Sequence, residues 1–105
     1  MWTRLFLIVA LAAAIPPGAL AQDPAAEAFN AAMERMMADM HMAPTGDADR
    51  DFATMMIPHH QGAIDMARVE LEHGDDPALR ALAAEIIEAQ EKEIAVLKAW
   101  LEKNP

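Results

Sequence analysis

Hydrophobic residues recur every three or four positions in three segments of the chain, which is the spacing of one face of an α-helix. Short breaks that contain Asp and either Pro or Gly separate these segments, and an Asp that can cap a helix N-terminus precedes each of them. The pattern predicts helices over residues 24–42, 48–73 and 77–102. No segment alternates in the manner of a β-strand.

The short connections predict that consecutive helices run antiparallel, so we expect an all-α fold, a small antiparallel three-helix bundle in residues 22–105. Pro58 lies inside the second predicted helix, which we expect to be kinked but continuous because the side-chain pattern runs across it. A core of this size is small, and amphipathic helices of this number often leave an apolar stripe uncovered. The sequence therefore leaves a homodimer open.

The first 21 residues have the organisation of a secretory signal peptide. Arg4 precedes an apolar run over residues 5–15, and Ala19-Leu20-Ala21 is a small-residue cleavage signature. The apolar run is shorter than the about 20 residues that cross a bilayer. We therefore expect cleavage after Ala21, a mature chain that is periplasmic or secreted, and no stable membrane insertion.

Composition removes several classes of function. The chain has no Cys, which excludes thiolate zinc sites, iron–sulfur clusters and a Cys nucleophile. Its net charge is −9 and its few cations are scattered, so we expect no binding to nucleic acid. Glu70-x-x-His73 has the spacing that di-iron bundles use, but it occurs once where such a site needs two copies. With no Ser for a hydrolytic triad either, we expect that the protein is not an enzyme.

The methionines are segregated along the chain. Apart from Met1, all of them lie between Met33 and Met66, a stretch without Leu or Val, whereas the third predicted helix has Leu, Ile and Val but no Met. Methionine used only as a flexible core filler would be expected in all three helices. The distribution therefore favours a role for thioether sulfur on the first two helices, with core packing as the alternative.

Met and His side chains occur one helical turn apart on both of these helices, close enough to share an ion. The side chains of adjacent residues on a helix point about 100° apart, so we do not expect His59 and His60 to coordinate the same ion. Thioether and imidazole donors without thiolate suit Cu(I) or Ag(I), and imidazole also accepts Cu(II). The candidate metal ligands are His59, His60, Met55, Met56, Met66, Met36, Met40 and His41.

The second predicted helix carries a recognisable motif, Asp51-Phe52-x-x-Met55-Met56-Ile57-Pro58-His59-His60-Gln61, and the third continues the match to Trp100-Leu101 through Gln90 and Glu93. The chain resembles the domain of unknown function numbered 305 (DUF305), and within it the CopM-type periplasmic copper-binding proteins. The resemblance implies an exported, ferritin-like helical bundle that binds copper or silver through Met55, Met56, His59, His60 and Met66, without established catalysis. Gln90 and Glu93 match the family as well, and we assign them no chemistry beyond a polar seam that faces the His pair.

Two functions follow as expectations. The first is a small exported protein that binds Cu(I) or Ag(I) for metal sequestration, tolerance or hand-over. The alternative is a helical oligomerisation or interaction module whose Met-rich surface is an interface and not a metal site. Longer relatives implied by the resemblance carry a second His-His half that this chain lacks, so a complete site would need a second copy, which is a further reason to expect a homodimer.

Overall fold

The computed structural model describes residues 23–105, which form three α-helices joined by short connections. They are α1 (Pro24–Asp39), α2 (Ala48–His73) and α3 (Pro77–Lys103). The described residues contain no strand, which confirms the predicted all-α helical bundle. The expected signal peptide, residues 1–21, lies outside the described residues. Within residues 23–105, no helix has the length and hydrophobicity needed to cross a bilayer.

Each helix begins where an aspartate caps it. Asp23, Asp47 and Asp76 have extended backbone conformations, and the carboxylate of each accepts a hydrogen bond from a backbone N–H two or three residues further on. These bonds satisfy N–H groups that have no partner within the helix. α1 ends at Asp39, three residues before the expected residue 42, because Met40 already caps its C-terminus.

The connection between α1 and α2 is held by Asp51 in the first turn of α2. Its carboxylate accepts hydrogen bonds from the Thr45 backbone N–H at 2.9 Å, the Thr45 hydroxyl at 2.7 Å and the Gly46 backbone N–H at 3.1 Å. These hydrogen bonds lower the pKa of Asp51 below its ordinary value of 3.8, and those from Thr45 have the largest effect. Gly46 has a φ of 94°, which a residue with a side chain rarely adopts.

α2 is the central helix of the three. It packs against α1 on one side and α3 on the other, while α1 and α3 do not pack against each other within residues 23–105. Both neighbours run antiparallel to it. Met36 near the end of α1 lies on Gly62, whereas Met42, which comes later in the chain, lines a cavity with Met55 earlier in α2. Arg50 early in α2 donates to the Asn104 carbonyl after α3 at 3.1 Å. α2 is continuous through the buried Pro58, as expected.

The buried core is small because alanine supplies much of it. Ile64, at 1% exposure, is the largest fully buried side chain in the described residues. Small residues let neighbouring helices approach closely, but they bury little apolar surface. Several large apolar side chains consequently remain exposed on all three helices. The buried apolar residues are Ala32, Ala53, Ile64, Ala67, Val69, Ala83 and Ile94.

Candidate metal site

Helix α1 approaches α2 closely at Gly62, a buried glycine in the middle of α2. A Cβ atom built on Gly62 would lie 2.5 Å from Sδ of Met36 and 3.1 Å from its Cβ. Carbon and sulfur atoms in ordinary contact are about 3.5–4.0 Å apart, so no side chain fits at this position while Met36 stays in place. The missing side chain of Gly62 thus lets the thioether of Met36 rest directly on α2.

Gly62 lies between candidate ligands on the same side of α2. His59 is one turn before it, Met66 one turn after it, and Met55 one turn before His59. We call Met36, Met55, His59 and Met66 the soft-donor stripe. His59 is exposed and the three methionines are half-buried, so the stripe is open to solvent along the α1–α2 crevice. The sequence placed Met55, His59 and Met66 on one face, and the structure adds Met36 from α1.

His60 has different surroundings from those of His59. It is only 8% exposed, and its Nε2 pairs with the carboxylate of Glu93 on α3. The two imidazole rings are tilted by 60°, with centroids 6.2 Å apart. The two histidines therefore have different environments: His59 belongs to the soft-donor stripe, and His60 contacts α3.

The second nitrogen of His60, Nδ1, is buried and has no hydrogen-bond partner in the described part of the chain. When Nε2 carries the proton and donates it to Glu93, Nδ1 is left with a free lone pair. A carboxylate that orients one imidazole nitrogen while the other is free is the arrangement typical of histidine ligands. Met56, one turn before His60, lines the same groove between α2 and α3. Glu93 belongs to the polar seam that was expected to face the His pair, and the structure brings it to His60, 33 positions earlier in the chain.

The remaining candidates are Met40, which caps the C-terminus of α1, and His41, which follows it. They line a small cavity together with Met42. Met42 also lines a second cavity with Met55, which links this end of α1 to the soft-donor stripe. Met42 was not among the predicted ligands, although its place within the Met-rich segment was a signal for it.

Within residues 23–105, no three His, Asp or Glu side chains converge on a point where they could hold an ion. Methionine sulfur is the other soft donor that these residues offer beside single imidazoles. Thioether ligands select soft ions, whereas zinc prefers thiolate or several imidazoles, and calcium prefers oxygen. Met55 lies 11 residues before Met66, about 16 Å along α2, so one ion cannot contact both. The donors around Gly62, the thioethers of Met36 and Met66 and the imidazole of His59, suit a soft monovalent ion.

Comparison with known proteins gives a family. Residues 12–101 match the family model described as Domain of unknown function (DUF305), so the match includes most of the chain and reaches into all three helices. It extends beyond the region of resemblance seen in the sequence, which began at the second helix. No curated protein matches the chain. The chain is therefore a member of the DUF305 family.

Proposed function

We propose that the protein is an exported, CopM-type copper-binding protein that holds Cu(I) or Ag(I) through Met and His side chains, for sequestration, tolerance or hand-over of the metal. The observation that carries this proposal is the packing of the Met36 sulfur on Gly62, beside His59 and Met66. Glycine in a helix interior is destabilising by roughly 0.5–1 kcal/mol relative to alanine. Here the glycine lets the thioether of Met36 reach α2 next to His59 and Met66.

The openness of the stripe supports exchange of the metal more than permanent storage. His59 is exposed and the three thioethers are half-buried, so a donor or acceptor molecule can reach the ion from solvent. Thioethers also suit an exported protein, since they do not form disulfides in an oxidising compartment. The absence of Cys from the sequence is consistent with this choice of ligand.

His60 supplies a separate donor on the α3 side. Glu93 holds its Nε2, its Nδ1 is buried without a hydrogen-bond partner in the described residues, and His60 and Met56 line the same groove between α2 and α3. An imidazole and a thioether there would hold a second copper ion, and the hydrogen bond from Nε2 to Glu93 would orient the imidazole and strengthen it as a donor. The proposal thus assigns the two adjacent histidines to different ions.

The test is a competition titration of mature protein (residues 22–105) against a Cu(I)-selective chelator, with Zn(II) as the comparison ion. Two variants on α1 form a matched pair. Met36→Leu removes the sulfur that packs on Gly62, and Met37→Leu removes a sulfur that is 67% exposed and about 100° away around the helix.

We expect tight Cu(I) binding by the wild type, much weaker Zn(II) binding, and an affinity for Cu(I) that falls at least about tenfold in Met36→Leu but is unchanged in Met37→Leu. Wild-type protein that fails to hold Cu(I) against the chelator, or equal effects of the two substitutions, would contradict the proposal.

The second candidate function, an interaction module with a Met-rich interface, is favoured by the exposure of Met33 and Met37 on α1. Leucine is similar in size and apolarity to methionine, so a hydrophobic interface tolerates Met→Leu, whereas a thioether site does not. This candidate would be supported by two results together: the wild type binds no copper, and the double variant with leucine at both positions still self-associates.

A further inference from the structure

One long apolar face of the α2–α3 hairpin is left uncovered by residues 23–105, the part of the chain that the structure describes. We call it the hairpin face. Near the open end of the hairpin, Phe52, Val96, Leu97 and Trp100 line a groove of about 340 Å³. Near the end that joins the helices, Leu79 and Leu82 line a second groove of about 300 Å³.

The side chains of this face are exposed to a degree that is unusual for large apolar residues. Phe52 is 60% exposed and Val96 is 67% exposed, and Leu79 and Leu82 are about half exposed. α1 does not cover them, because it packs on the side of α2 that carries Gly62 and makes no contact with α3 within the described residues. A contiguous apolar surface of this length marks an interaction site.

We propose that a second copy of this chain covers the hairpin face, so that two α2–α3 hairpins pack face to face in a homodimer. The size of the face fits this occupant. With 26 residues in α2, the hairpin is about 39 Å long, and two helices side by side are about 20 Å wide. The product is about 800 Å² per copy, which is what each partner of a standard stable interface buries.

Charge favours a second copy over a membrane surface. The chain has a net charge of −9, which repels anionic lipids as well as other acidic molecules. In a homodimer with two-fold symmetry, one apolar patch covers itself. The carboxylates of Asp49, Glu70 and Glu93 line the same grooves and would lie at or near the interface. The remaining repulsion between two acidic copies is screened by salt, so the dimer tightens as the salt concentration rises.

The experiment measures the molar mass of the metal-free mature protein by light scattering after gel filtration, at low and high salt. The chain offers a matched pair of variants, because Val96 on the hairpin face and Met37 on α1 are both 67% exposed. Val96→Glu introduces a charge on the proposed interface, and Met37→Glu introduces the same charge elsewhere. Leu79→Glu tests the other groove, and circular dichroism checks the helix content of each variant.

We expect a dimer for the wild type and Met37→Glu at tens of micromolar, and a monomer with unchanged helix content for Val96→Glu and Leu79→Glu. A wild type that stays monomeric at high salt overturns the proposal, as does a dimer that Met37→Glu dissociates and Val96→Glu does not. Binding of the monomer to anionic vesicles would overturn it in favour of a lipid surface. Because no copper is present, these outcomes are independent of the proposed metal function.

Discussion

Replacing Gly62 by alanine separates the metal function of the α1–α2 crevice from its contribution to stability. The new methyl group would lie 2.5 Å from Sδ, 2.9 Å from Cγ and 3.1 Å from Cβ of Met36. The sulfur belongs to a flexible, half-buried side chain and can rotate away, but the Cβ atom is fixed to α1, so that α1 must shift by a few tenths of an ångström.

The two energetic effects of Gly62→Ala nearly cancel. The mildest overpacking at a helix contact lowers the free energy of unfolding by about 1 kcal/mol, and replacing glycine by alanine in a helix interior raises it by about 1 kcal/mol. We therefore expect the free energy of unfolding to change by no more than about 1 kcal/mol. The sulfur of Met36 is displaced from the soft-donor stripe, so the affinity for Cu(I) should fall by about tenfold or more.

The assay combines urea unfolding of the metal-free protein with the chelator competition. Met36→Leu provides the control, because Gly62→Ala should weaken Cu(I) binding only while a sulfur is present to be displaced. In the Met36→Leu background, the alanine should therefore leave Cu(I) affinity unchanged. If Gly62→Ala leaves the Cu(I) affinity at the wild-type value, Met36 is not a ligand and the reasoning is refuted.

Three further predictions test other parts of the structure. His59→Ala should weaken Cu(I) binding with little change in stability. His60→Ala should lower the free energy of unfolding by about 1–3 kcal/mol, because it removes a buried side chain that pairs with α3. Equal losses of stability in the two variants would contradict this assignment. Asp51→Asn should destabilise the fold at neutral pH. Because the folded-state pKa of Asp51 is lowered, the stabilising effect of its carboxylate exists above pH 3.8 and is lost as the pH falls through the folded pKa. The melting temperatures of the two proteins should therefore converge in acid, and a constant difference between them would count against the role of the carboxylate. Ile64→Ala should cost about 2–5 kcal/mol in urea unfolding, and a cost below that range would show that the core lies elsewhere.

The helices were predictable because their signals are local. Asp23, Asp47 and Asp76 each stand directly before a helix, and Pro follows two of them at the first helical position. The end of α1 was less marked, since apolar residues continue through Met42 although the helix ends at Asp39. Periodicity alone cannot show where a helix stops when no glycine or proline stands at its last turn.

The candidate site depends on contacts between helices, which the sequence does not specify. Spacing placed Met55 and His59 on one face of α2, but it could not show that Met36 is the α1 residue opposite Gly62. The pairing of His60 with Glu93 likewise depends on the register between α2 and α3. Local spacing therefore identifies groups of candidate ligands within a helix, and only helix packing shows which groups meet.

The hairpin face shows the same limit for apolar residues. The pattern along α3 predicted an apolar seam, and Ile94 of that seam is buried. Leu79 and Leu82 belong to the same seam but remain about half exposed, because the seam is wider than the surface that α2 alone can cover. Periodicity predicts that a face is apolar, but not how many neighbours share it.

The central claim, that thioether sulfur from α1 and α2 holds a soft ion beside His59, is tested most directly by X-ray absorption at the copper edge of Cu(I)-loaded protein. We expect sulfur and nitrogen neighbours around the copper ion in the wild type, fewer sulfur neighbours in Met36→Leu, and unchanged neighbours in Met37→Leu. A wild-type shell made only of nitrogen and oxygen, or a sulfur count that does not change in Met36→Leu, would contradict it.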